Sequence, residues 1–97
     1  MTPAEARARH AVIAEELGHA YRQLALEKSL ERKNKHDTFL QTQGSDKQRE
    51  HMAGINALDN TNEVWRLEGE IRALEEERDD IRWQYAHGGY VDADEGN

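Results

Sequence analysis

Apolar positions recur at helical spacing along this chain in two stretches, with one polar interruption between them. In the first, Ile13, Leu17, Ala20 or Tyr21, and Leu24 follow one another every three or four residues, the spacing with which a helix buries a single stripe. The stripe then thins. Between Glu27 and Thr38 only Leu30 is large and apolar, which leaves the aliphatic stems of Lys28, Arg32 and Lys33 to cover the seam before Phe39 and Leu40 resume it. The second stretch opens with Met52, Ile55 and Leu58 and continues as a heptad seam, Val64, Leu67, Ile71, Leu74, Arg78, Ile81 and Tyr85, interrupted only by Arg78.

Between the two lies Gln41-Thr42-Gln43-Gly44-Ser45-Asp46-Lys47-Gln48, where Gly44 suits the left-handed residue just past a helix C-terminus. Ser45 with Gln48 three residues on reads as a capping box that starts the next helix. A second such box, Thr2-Pro3-Ala4-Glu5, opens the chain with proline at the first helical position. These signals predict helix 1 over about residues 3–43, a turn at 44–45 and helix 2 over about 46–87, closed by Gly88-Gly89. Residues 88–97 read as a short, acidic, disordered tail. The fold expected is all-α: a long antiparallel two-helix hairpin, coiled-coil-like, with apolar residues off the seam that favour self-association. One segment stays open. Asp59-Asn60-Thr61-Asn62 either continues the helix as a polar layer or breaks it, with Asn60 capping and Glu63 reaching back; the absence of proline and glycine favours continuity.

A turn at Gly44-Ser45 makes residues whose numbers sum to about 89 face one another, since both arms rise equally per residue. Leu17 is then expected opposite Ile71, Leu24 opposite Val64 and Trp65, Leu30 opposite Leu58, and the alanines at 4, 6 and 8 beside Trp83. Lys28 and Glu31 fall opposite Asn60 and Asp59, a polar layer that would fix register.

Composition sharpens this picture. Of 97 residues, 36% are hydrophobic and 34% charged, with a net charge of -7 and one proline, which favours solvated helices over a large core. The absence of cysteine removes disulfides and thiolate chemistry and fits a cytoplasmic protein; no apolar run reaches membrane-span length, and the N-terminus carries no signal-type region. No catalytic, cofactor or metal site is read from the chain. The acidic run from Glu75 to Asp80 reads as a solvated helix face, with Glu68-Arg72 and Glu75-Arg78 as ordinary surface pairs. His10 and His19 are too far apart to share a metal on one helix, and His36 with His51 near the turn read as solvated.

The order Lys35, Phe39-Leu40, Gly44-Ser45, Arg49-Glu50 and Arg72-Ala73-Leu74-Glu75 resembles small phage-encoded helical-hairpin proteins, over about residues 21–87. That resemblance implies an accessory factor, in some cases one of phage recombination or replication. Three functions are carried forward. The first is a non-enzymatic interaction or assembly protein, a homo-oligomer that docks a protein partner through Val12, Tyr21, Leu26, Trp65 and Trp83. The second is contact with single-stranded nucleic acid at a mildly basic tip, through Lys33, Lys35, Phe39, Lys47 and Arg49. The third is an inhibitor whose acidic body occupies a basic host surface.

Overall fold

The computed structural model describes residues 1–90; positions 91–97, most of the expected tail, lie outside the described residues. The chain is all-α and forms a helical hairpin: α1 (Pro3–Gln41) is one arm, and α2 (Asp46–Asn56) with α3 (Leu58–Ala86) the other.

Each helix end follows from its capping residues. At the start of α1 the Glu5 amide donates to Thr2 Oγ1 at 3.2 Å and the Thr2 amide to Glu5 Oε1 at 3.4 Å. The start of α2 repeats the device, with Gln48 N–H donating to Ser45 Oγ at 3.2 Å and Ser45 N–H to Gln48 Oε1 at 2.9 Å. Helix α1 ends at Gln41, two residues before the expected Gln43, and the Thr42 amide and hydroxyl both donate to the Thr38 carbonyl, at 2.9 and 2.7 Å. Gly44 then reverses the chain at φ +125°, a backbone that side-chain-bearing residues rarely adopt. Beyond α3, Gly88 takes φ +68° and the Gly89 amide donates to the Gln84 carbonyl at 2.7 Å, which is a Schellman closure. Tyr90 follows it and meets the ring of Tyr85 edge-on at 6.1 Å.

The second arm is not one continuous helix. Its interruption falls at Ala57, with φ -95° and ψ 5°, and not at residues 59–62, which lie in the first turns of α3. The ladder runs on around it, since Ala57 N–H reaches the Ala53 carbonyl and Thr61 N–H the Ala57 carbonyl. What enters it is a side chain: Asn34 Nδ2 donates to the Asn56 carbonyl at 2.9 Å, the kind of insertion that bends helices. The capping box expected from Asn60 and Glu63 does not form; Asn60 turns to Glu27 and Asn34, and Glu63 pairs with Arg66.

Two compact units are present. One joins Met1–Ala20 to the chain from Glu70 onward, and its buried side chains are Ala6, Ile13, Leu17, Ala20, Ile71 and Ile81. All but Ala6 are residues that periodicity placed on the seam; of the others placed there, Leu74 is half-buried and Tyr85 exposed. Arg9 clamps Glu77 through two hydrogen bonds of 2.5 and 2.8 Å, Arg7 donates to the Tyr85 hydroxyl, and Arg82 Nε donates to His10 Nε2 at 3.1 Å. Trp83 is not bedded on the alanines at 4, 6 and 8. It is 57% exposed and stacks on His87, the residue just past the end of α3.

The other unit, Tyr21–Gly69, is built from smaller parts, for its buried residues are Thr38, Ala53, Ala57, Val64 and Leu67. Met52, Ile55, Leu58 and Leu30, expected on the seam, are all exposed. The physical reason is spacing. Glu27, Glu31, Asn34 and Thr38 continue the three-four rhythm of Leu17, Ala20 and Leu24, so the inner face of α1 runs on in polar residues, opposite alanines small enough to let them approach. The polar layer itself exists and includes the expected Glu31 and Asn60, but with other partners: Thr61 donates to Glu31 at 2.6 Å, Asn60 to Glu27 at 3.3 Å, Asn34 to Asn60 at 3.2 Å and Thr38 to Asn34 at 3.3 Å. Lys28 pairs instead with Glu68 at 3.6 Å, taking the partner expected for Arg72.

Candidate interaction surface

With small residues taking much of its inside beside Val64 and Leu67, the unit Tyr21–Gly69 presents most of its large apolar side chains to solvent. Tyr21, Leu26, Leu30, Leu40, Met52, Ile55, Leu58 and Trp65 are all exposed, Trp65 the most at 64%. Local sequence accounts for this. Ala53 and Ala57 sit four apart and own the inner face of their helical turns, so Ile55 and Leu58, displaced from them around the helix, point elsewhere. Trp65 adjoins buried Val64 and leans over a shallow hollow it shares with Lys28, Glu31, Arg32, Lys35, Thr61 and Glu68. Of the residues read as an interface, Tyr21, Leu26 and Trp65 are exposed in this unit, and Val12 and Trp83 are exposed in the other.

Near the turn, the geometry around the basic residues is mostly self-contained. Lys33 donates to Asp37 at 2.9 Å, which raises the lysine and lowers the carboxyl from their ordinary ranges, chiefly through that hydrogen bond. Lys35 lies 3.6 Å from Glu31 and Arg49 3.7 Å from Asp46. The Arg49 guanidinium also covers the ring of Phe39 at 4.1 Å while its Nε donates to the Phe39 carbonyl at 2.8 Å. Phe39 and Arg49 are thus brought together, but onto each other, and Lys33 and Lys35 each pair within α1. Lys47 lies at the rim of a second hollow with Ser45, Gln48, His51 and Met52.

The acidic run of α3 is also partly matched in place: Glu77 is bound by Arg9, and Arg78 pairs with Glu75 and Asp79. Among the described residues no three histidine, aspartate or glutamate side chains converge in a way that could hold a metal ion, and no helix is long and apolar enough to cross a membrane.

Sequence reasoning missed Asn34 and Thr38 as seam residues, and Gly69 as an open position beside Trp65. The first pair carried a signal in their spacing, hidden by their polarity. Gly69 carried only its residue type, in a helix interior between Glu68 and Glu70. The chain matches no family model, and neither a curated protein nor a solved structure is significantly similar to it.

Proposed function

We propose that this chain is a non-enzymatic interaction and assembly protein that docks through the outer faces of its helices. The carrying observation is the partial inversion of residues 21–69, where Thr38, Ala53 and Ala57 share the inside with Val64 and Leu67 while Trp65, Leu58, Ile55 and Leu26 are each more than half exposed. Such exposure is what a partner-binding helix surface looks like before its partner arrives. The resemblance to phage-encoded helical hairpins adds that the partner belongs to a phage or its host, with the chain as an accessory factor.

Contact with single strands at the tip has less support, because the one aromatic there is half-buried under Arg49 and three of its four cations have an adjacent carboxylate. The test of the interaction reading is sedimentation of the purified chain with affinity capture from its host, in parent and Trp65→Ser forms. A monomer at every concentration that captures nothing would end the proposal, and so would capture indifferent to Trp65→Ser and to serine at the other exposed apolar positions.

A further inference from the structure

We propose that a small organic carboxylate binds in the hollow between the start of α1 and the end of α3, its charged head on Arg7 and Arg82 and its apolar body on Ala6 and Ile81. The site lies within the unit that joins Met1–Ala20 to the chain from Glu70 onward, and it is independent of the docking face of residues 21–69. The hollow measures about 290 Å³ and is lined by Ala6, Arg7, His10, Ile81, Arg82 and Tyr85. Ala6 and Ile81 are buried and form its floor, while both arginines are exposed at its rim.

What selects the ligand is the hydrogen-bonding character of the polar groups. Arg7 donates to the Tyr85 hydroxyl oxygen, and Arg82 Nε donates to His10 Nε2 at 3.1 Å. Accepting at Nε2 places the proton of the neutral imidazole on Nδ1. The groups left over are therefore donors: the remaining N–H groups of two guanidiniums, the phenolic O–H and the imidazole N–H. Among the described residues no carboxylate pairs with either arginine, whereas Arg9 close by takes both oxygens of Glu77. Other hollows of the molecule differ in this respect. The one beside Trp65 carries Glu31 and Glu68, the one beside Phe39 carries Glu50, and the one at the turn has a single lysine, Lys47.

Two positive charges over a hollow with donors and no counter-charge select an anion, in a chain whose net charge of -7 makes such a spot a local exception. The planar guanidinium fork matches a carboxylate in particular. The floor then decides between an inorganic anion and an organic one. Phosphate would leave Ala6 and Ile81 facing water, whereas an acid with a short aliphatic or aromatic body covers them. The volume sits at the lower end of the roughly 300–1,000 Å³ of small-molecule clefts, which limits that body to about one ring.

The experiment is a titration of the full chain with phenylacetate, followed by backbone amide shifts in proton–nitrogen correlation spectra, beside phenylacetamide and inorganic phosphate at the same ionic strength. Phenylacetate shifts the amides of residues 6–10 and 81–85 to saturation, and the neutral amide and phosphate each bind weaker by about tenfold or more. Arg7→Gln and Arg82→Gln, both at exposed positions and melting with the parent, each weaken phenylacetate by about tenfold, whereas Arg72→Gln leaves it unchanged. The comparison of probes on the parent needs no variant, so a substitution that unfolds the chain leaves the test standing. Phenylacetamide binding as well as phenylacetate shows that charge is not recognised, and phosphate doing so shows that the floor is not used; either result overturns the site. So does phenylacetate affinity untouched by both glutamine variants, or an absence of shifts at these amides up to saturating probe.

Discussion

Asn34 holds on α1 the kind of seam position that Leu17 and Leu24 hold earlier in the same helix, and it holds it by hydrogen bonding. Its amide nitrogen donates to the Asn56 carbonyl and to Asn60, and its amide oxygen accepts from Thr38. Truncating it in Asn34→Ala should cost about 0.5–1.5 kcal/mol, the net worth of such bonds when water partly replaces them. Because Asn60 shares the network, Asn34→Ala with Asn60→Ala should cost less than the two single losses together, as urea melts of the four proteins would show. Strict additivity would mean the network is not coupled. Arg9 and Glu77 make a second residue-scale case. The Glu77 carboxyl is held below the usual glutamate range, first by the hydrogen bond from Arg9 and then by its charge, with desolvation opposing. A depressed folded-state value means that the native state favours the ionised form. The pair's contribution is therefore present above the ordinary glutamate pKa of about 4.3 and is lost as pH falls through the lower folded value. Both side chains are more than a third exposed, so the effect is small. Glu77→Gln should melt slightly below the parent at neutral pH and together with it in strong acid; a gap of constant size across that range would show that the carboxylate's charge is not its source.

At the scale of the element, the helix ends were legible and half of the seam was not. Both capping boxes and the Gly88-Gly89 closure need only neighbours in sequence, so their residue types announced them. The seam of Ile13, Leu17, Ile71 and Ile81 was legible for a different reason, since large aliphatics at helical spacing are buried wherever anything packs on them. In residues 21–69 the same logic placed Val64 and Leu67 rightly but also pointed to Met52, Ile55 and Leu58, while burial there went to Ala53 and Ala57. Size alone misleads there. How near two helices come depends on the smallest residues they can set between them, a property of both arms together that one arm's hydrophobicity does not contain. Continuity was the expectation favoured for residues 59–62, and the helix does run through them; the interruption one turn earlier, at Ala57, was not read, because the group that enters there is a side chain from α1. This inversion is measurable. Ala57 has no exposed surface, so Ala57→Leu should lose about 1–3 kcal/mol by overpacking. Leu58→Ala, at a half-exposed position, should change the stability of the dilute chain by no more than about 0.5 kcal/mol. The opposite ranking in thermal melts would restore Leu58 to the core.

For the whole molecule the decisive feature is the reversal at residues 42–45, because every pairing between the arms depends on it. Facing residues were expected to sum to about 89. The bonded pairs scatter around that value, from Arg9 with Glu77 at 86 to Lys28 with Glu68 at 96, so the turn made the topology readable and the register only to within a few residues. Interaction surfaces were less so: the exposed tryptophans could be suspected by type, but which apolar residues face outward follows only from the packing inside. Gly44 tests the reversal itself. At φ +125° a side chain is strained, and a Cβ there would lie 2.5 Å from Gln48 Oε1, the same oxygen that accepts the Ser45 amide in the capping box. Gly44→Val must therefore bear a backbone cost of about 1–2 kcal/mol and also displace Gln48, weakening the start of α2. Opening the turn so that α1 and α2 run on as one helix relieves both, and two opened chains then exchange arms to recover the contacts each has lost. Gly44→Val should melt lower than its parent and sediment with twice its mass. Gln48→Ala, which loses the box without the strain, should melt lower and remain a monomer. If Gly44→Val melts like its parent and keeps the same mass, the chain does not turn at Gly44, and the facing pairs of both units lose their common origin.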